Sequence, residues 1–176
     1  MKITDVKING MKNPTGYSFD SARVSWKVTD SQGIAQKSAE IEVSLDREFK
    51  ELLYKKNSAD LNQTGEALEM KTEPRTRYFV RVTVTDDQDE TAVSEPVSFE
   101  TAKMQESWLA KWITTEPEYK HHPFFFKEFE VEKEIQAARL YISGLGFFQA
   151  ELNGRKVGDE VLTPYYSDYH EEEQYL

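Results

Sequence analysis

The chain has no cysteine in its 176 residues. That excludes disulfide staples, thiolate metal sites and cysteine nucleophiles. No apolar run approaches the roughly 18 residues of a membrane helix, and the longest aromatic run is Phe124-Phe125-Phe126. Basic residues are outnumbered, with 22 Lys and Arg against 32 Asp and Glu, so the net charge is −10. Binding phosphate backbones requires a basic face that displaces counterions, so no nucleic-acid partner is expected. An anionic membrane surface is disfavoured by the same charge. The first residues, MKITDVKING, hold no apolar stretch of the secretion-leader type, and the compartment stays open.

The apolar and aromatic content, 38% and 12%, suffices for small cores and is too high for a disordered acidic chain. Aromatic residues are unevenly spread. Residues 1–102 hold eight, and residues 103–176 hold the other fourteen. A boundary near Thr101–Gln105 divides the chain into segments 1–102 and 103–176. No Gly/Pro-rich linker marks it, so the two segments are expected to pack rather than swing, with Trp112 as an anchor between them.

The first segment alternates with period two, the mark of a half-buried antiparallel strand. The alternating sets are Val24/Trp26/Val28, Ile41/Val43/Leu45, Tyr78/Val80/Val82/Val84 and Val97/Phe99. Weaker strands are expected at Ile3–Ile8, Leu52–Lys56 and Ala67–Lys71, and a single helical turn fits Asp46–Leu53. Turn signals fall at Asn9-Gly10, Asn13-Pro14, Asp30–Gly33 and Asp86-Asp87. Seven short strands at this spacing predict a two-sheet sandwich. Tyr78, two residues into its strand after Pro74-Arg75-Thr76-Arg77, can return its hydroxyl to the backbone upstream as a tyrosine corner. With Trp26 and the closing Phe99-Glu100-Thr101, residues 1–102 resemble a fibronectin type III domain.

In the second segment, β-formers occupy Phe124–Val131 and Arg139–Ser143. Asn153-Gly154 is the strongest hairpin dipeptide, joining Phe147–Leu152 to Lys156–Leu162. The order of pieces then becomes specific. Trp108, Ala110–Ile113, Ala138, Leu140–Gly146, Leu152–Gly158, Leu162–Pro164 and Ser167–Tyr169 together resemble the N-terminal region of bacterial α-L-rhamnosidases of glycoside hydrolase family 78. The acidic run Glu171-Glu172-Glu173 departs from that pattern. The resemblance implies an all-β chain: a fibronectin type III-like sandwich, then a partial jelly-roll, galactose-binding-like sandwich. It also implies a modular enzyme that removes terminal α-L-rhamnose with two carboxylates at inverting separation on a separate helical barrel. The chain is read as a non-catalytic N-terminal piece of such an enzyme, and its expected partner is the rest of that enzyme. A jelly roll needs about eight strands, and only four or five can be counted after Phe124. The second segment is therefore expected to be completed by a neighbouring copy, in a strand-completing homo-oligomer, or to be loosely ordered beyond about Leu162.

Other candidate chemistry is weaker. Asp159-Glu160, Glu116/Glu118 and Glu171–Glu173 lie in polar strings and read as solvated surface. His121-His122 lack a third ligand by spacing. His170-Glu171 lacks the second histidine of a zinc helix, because Gln174 stands there. Asp86–Glu90 lacks the glycine and terminal glutamate of a calcium loop. Gly144-Leu145-Gly146 reads as a bend rather than a dinucleotide fingerprint. Neither cofactor nor metal is expected, and no nucleophile, base and orienting group converge. For sugar binding the ingredients are exposed aromatic planes with polar neighbours. Trp112, Tyr165, Tyr166 and Asp168 are the candidates, with Trp108, Tyr169 and Asn153 beside them in sequence. Rhamnosylated glycans would be the ligands. The competing reading of these aromatics is core and interdomain packing. Two rival functions follow, a free-standing carbohydrate-binding module and a protein-interaction or spacer module.

Overall fold

The computed structural model describes residues 1–18, 21–116, 118 and 121–171. Among these residues there is no helix. The chain forms two compact units, Met1–Lys111 and Trp112–Leu176.

The first unit is a sandwich of two sheets. Its strands are β1 (Lys2–Ile8), β2 (Thr15–Tyr17), β3 (Arg23–Thr29), β4 (Gln36–Ser44), β5 (Leu52–Ser58), β6 (Glu66–Ala67), β7 (Arg77–Asp86), β8 (Thr91–Val93) and β9 (Val97–Thr101). One sheet has the order β1-β3-β6. The other is six-stranded, with the order β2-β9-β7-β4-β5 and β8 added to β7. β2 runs parallel to β9, and the remaining pairs are antiparallel.

Alternation places the core. Val24 and Trp26 of β3, Ala39, Ile41 and Val43 of β4, Tyr78, Val80, Val82 and Val84 of β7, and Phe99 of β9 are all buried. β1 shows why its sequence signal is weak. Ile3, Val6 and Ile8 all pack inward, yet Ile3 and Val6 have opposite parity. An extra residue sits between Thr4 and Lys7 in the register against β3, and Asp5 takes a positive φ of 53°. This bulge resets the parity, so that both halves of the strand reach one core.

β8 and β9 lie on the same side of β7, separated by Ser94-Glu95-Pro96. Proline cannot donate to a ladder. Ser94 bridges the gap: its N–H donates to Val82 C=O at 2.8 Å and its hydroxyl accepts from Val82 N–H at 3.0 Å.

Several expected spans differ. Leu45 lies beyond the end of β4 and is exposed. The strand expected at Ala67–Lys71 is the two-residue β6. Asp46–Leu53 holds a turn around Arg47-Glu48 rather than a helical turn, held by the Asp46 side chain.

In the second unit the described strands are β10 (Glu151–Leu152) and β11 (Arg155–Lys156), paired antiparallel. Phe124–Val131 and Arg139–Ser143, expected as strands, form none, and the hairpin is far shorter than Phe147–Leu152 with Lys156–Leu162. The physical reason is a shortage of neighbours. A strand needs a ladder partner and a second layer over its apolar face, and a lone hairpin is marginal in water. Here Phe124, Phe126, Phe129, Val131 and Leu140 are all at least half exposed.

Candidate functional site

The tyrosine corner forms, and it joins more groups than the motif alone implies. Tyr78 Oη accepts from Glu73 N–H at 2.7 Å. The Tyr78 ring stacks on its cross-strand partner Phe99 at 5.0 Å. Thr101, buried in the last strand, donates its hydroxyl to Glu73 C=O at 2.6 Å and accepts from Thr76 N–H at 3.0 Å. The corner therefore closes β9 and the entry to β7 as one structure.

The acidic loop Asp86–Glu90 is built around one carboxylate. Asp86 accepts from the Ser31 hydroxyl at 2.5 Å and from the N–H groups of Gly33, Gln88 and Glu90 at 3.2, 2.9 and 2.9 Å. The Ser31 hydroxyl and these amides hold its pKa below the ordinary carboxylate value against the opposing effect of burial. Asp86 thus ties the 31–33 turn to the β7–β8 turn.

Asp46 plays the same part between β4 and β5. Desolvation pushes its pKa up, but the N–H of Lys50, the Ser44 hydroxyl and further amides outweigh it, and the net shift is downward. On the outer face of the large sheet Arg81 donates to Glu42 at 2.8 Å, and Lys55 pairs with Glu40 at 2.9 Å. These are cross-strand neighbours in register or nearly so. Among the described carboxylates, Asp5, Glu40, Asp46, Glu66 and Asp86 are displaced downward. A general acid for glycoside cleavage needs the opposite shift.

The sugar-binding candidates fall mainly on one segment of the second unit. The Asn153-Gly154 turn has positive φ at both residues, 51° and 72°, as a type I′ hairpin requires. Phe148 N–H donates to Thr163 C=O at 3.0 Å and brings the following segment back to the hairpin. From there Thr163 and Ser167 turn inward, while Tyr165 and Tyr166 are 70% and 82% exposed. Tyr166 meets Tyr169 edge-on at 5.7 Å. Asp168 is engaged in a turn: its carboxylate accepts from His170 N–H at 3.0 Å and its carbonyl from Glu171 N–H at 2.8 Å. Trp112 is exposed and makes no ring contact with these tyrosines among the described residues. Trp108 belongs to the first unit, under the Lys103 ammonium at 5.1 Å.

The other sequence candidates stand apart. His121, His122, Glu116, Glu118, Asp159 and Glu160 are exposed, and among the described residues no three His, Asp or Glu side chains gather as a metal site. Glu172, Glu173 and Gln174 lie outside the described residues.

The fold and its inward-facing residues define an immunoglobulin-like β-sandwich module followed by a second β-unit. The family model for the Rha78A-like N-terminal immunoglobulin domain matches residues 3–105, and the chain belongs to that family. The model for the α-L-rhamnosidase N-terminal domain matches residues 133–176. An α-L-rhamnosidase of Formosa agariphila is 30% identical over 206 aligned positions, covering 97% of this chain and 21% of that protein. The solved α-L-rhamnosidase from Dictyoglumus thermophilum superposes with a TM-score of 0.75 at 29% identity, over 95% of this chain and 22% of that one. The α-L-rhamnosidase from Aspergillus terreus shares the fold, with a TM-score of 0.73 at 24% identity over 99% of this chain and 21% of its own. The chain spans about a fifth of the length of the relatives it matches.

Proposed function

We propose that this chain is a non-catalytic N-terminal module of an α-L-rhamnosidase, a scaffold for a catalytic barrel carried elsewhere in the parent enzyme. The observation that carries the proposal is the ordered pair of matches to N-terminal rhamnosidase domains, residues 3–105 and 133–176. The electrostatics support it. Among the described residues, Glu40, Asp46 and Asp86 hold turns and cross-strand pairs and are lowered, the opposite of what a general acid needs. The test is hydrolysis of an aryl α-L-rhamnoside. The expected result is no turnover by the purified chain and turnover by the parent enzyme. Turnover that co-purifies with this chain through successive columns would overturn the reading.

The outward rings of Tyr165 and Tyr166 next to Asp168 support a second reading, a carbohydrate-binding module. Exposure alone favours it weakly, because Phe124 and Phe126 are as exposed and read as core awaiting cover. Calorimetry with L-rhamnose decides it: saturable heat lost in Tyr166→Ala supports sugar stacking, and no heat removes it.

A further inference from the structure

After β9 the chain is bound closely to the tyrosine corner. Arg75 N–H donates to Ala102 C=O at 2.9 Å, and Ala102 N–H donates to Tyr17 C=O at 3.0 Å. The Arg75 guanidinium then takes Glu106 in a two-point grip, Nη2 to Oε1 at 2.9 Å and Nε to Oε2 at 2.5 Å. The first contact is a hydrogen bond and the second an ion-pair contact only, because Glu106 Oε2 is shut off from solvent without a hydrogen-bond partner of its own, while the two side chains stay 54% and 33% exposed. Glu106 N–H donates to Lys103 C=O at 3.0 Å, and the Lys103 ammonium, over the Trp108 ring, reaches Ser107 C=O at 3.4 Å. Both ends of the arrangement hold non-glycine residues in left-handed backbone, Arg75 at φ 51° and Met104 at φ 52°. Such conformations persist where the surroundings over-determine them.

We propose that Arg75 and Glu106 form a clamp that seats residues 102–108 on the sandwich and so sets the direction in which the chain leaves the immunoglobulin-like unit. The clamp uses the corner loop as its fixed jaw, because Tyr78 and Thr101 already hold residues 73–76 in place. The movable jaw is the short turn Lys103–Glu106. Releasing the ion pair removes the hold of the Arg75 side chain on this turn, and with it a constraint on how Trp108 meets Lys103. The inference stands on the first unit and is independent of the rhamnosidase reading.

Hydrogen exchange read by mass spectrometry on the full chain tests it. Glu106→Gln is expected to speed exchange of the 102–108 amides about fivefold, the upper range for a partly exposed ion pair, with β7 amides unchanged. The reversed pair, Arg75→Glu with Glu106→Arg, is expected to restore protection. Three results would overturn the clamp: unchanged exchange at 102–108 in Glu106→Gln, equal acceleration in β7, or a reversed pair exchanging as fast as the single variant.

Discussion

At the scale of single residues, Tyr78 combines two roles that substitution separates. Its ring fills the core against Phe99, and its hydroxyl satisfies Glu73 N–H. Tyr78→Phe keeps the ring and strands a shielded donor, which costs about 1–3 kcal/mol. Urea unfolding followed by tryptophan fluorescence is expected to show that loss with an unchanged slope. The hydroxyl bond could be anticipated from Pro74–Tyr78 because it is local. The part played by Thr101 could not, since it depends on β9 returning beside β7. Gly33 is a second case. A Cβ there would stand 2.6 Å from Asp86 Cγ, and Asp86 cannot retreat without giving up its four donors. Gly33→Ala is expected to cost about 1–3 kcal/mol by overpacking, and Asp86→Ala in the same background should recover little, because it removes the anchor as well. A thermal melt of the three proteins checks this.

At the scale of strands and turns, charge pairs hold the sheets at their edges. Lys56 of edge strand β5 pairs with Glu66 of β6, in the opposite sheet, at 3.0 Å, and with Glu69 at 3.3 Å. Asp5 at the β1 bulge is held at about 2 by Lys7 and then Lys27. Glu66 is lowered by Asn62 N–H and then Lys56, and Glu40 by Asn57 and then Lys55. Each folded-state pKa lies below that of the unfolded chain. These groups therefore contribute in full above about pH 5, and the contribution fades as pH falls through the folded values. Unfolding free energy measured across acid pH is expected to decline below about pH 5 and to keep declining toward pH 2. In Asp5→Asn the slope between those limits should be shallower. Lys55 and Lys56 are raised, by Glu40 and by Glu66 respectively. Their contribution is present through neutral pH and is lost only as pH climbs above about 10.5. The long strands were legible because their alternation is unbroken, as along Tyr78–Val84. β1 was faint because a bulge hides its parity, and β2 and β8 are three residues each, too short for a period to register. Phe124–Val131 reads as a strand by its β-forming residues. It fails to become one because hydrogen-bond partners, unlike composition, are not a property of the segment itself.

At the scale of the whole molecule, the two units differ in what they cover. The first buries Ile8, Val24, Ile41, Val80, Val82 and Phe99 almost completely. The second leaves Phe124, Phe126, Phe147, Val161 and Leu162 more than 60% exposed. Burying one such side chain is worth about 1.5–3 kcal/mol, so together they make a strong drive to find cover. Two sources of cover fit the sandwich pattern, further chain of the parent enzyme proposed above and a second copy. They predict different behaviour of the isolated protein. Residues 1–111 alone are expected to run as a compact monomer with one cooperative melt and no binding of an apolar dye. The full chain is expected to melt at nearly the same temperature, because its cooperative transition is that of the first unit, while binding the dye strongly. Light scattering during size-exclusion chromatography then separates the sources of cover. A mass that rises with concentration only in the full chain supports completion by a copy. A monomer that keeps binding dye at every concentration assigns the cover to the parent enzyme. A monomeric full chain that binds no dye, with amides of residues 124–162 protected from exchange, would mean that the second unit closes on itself and needs neither.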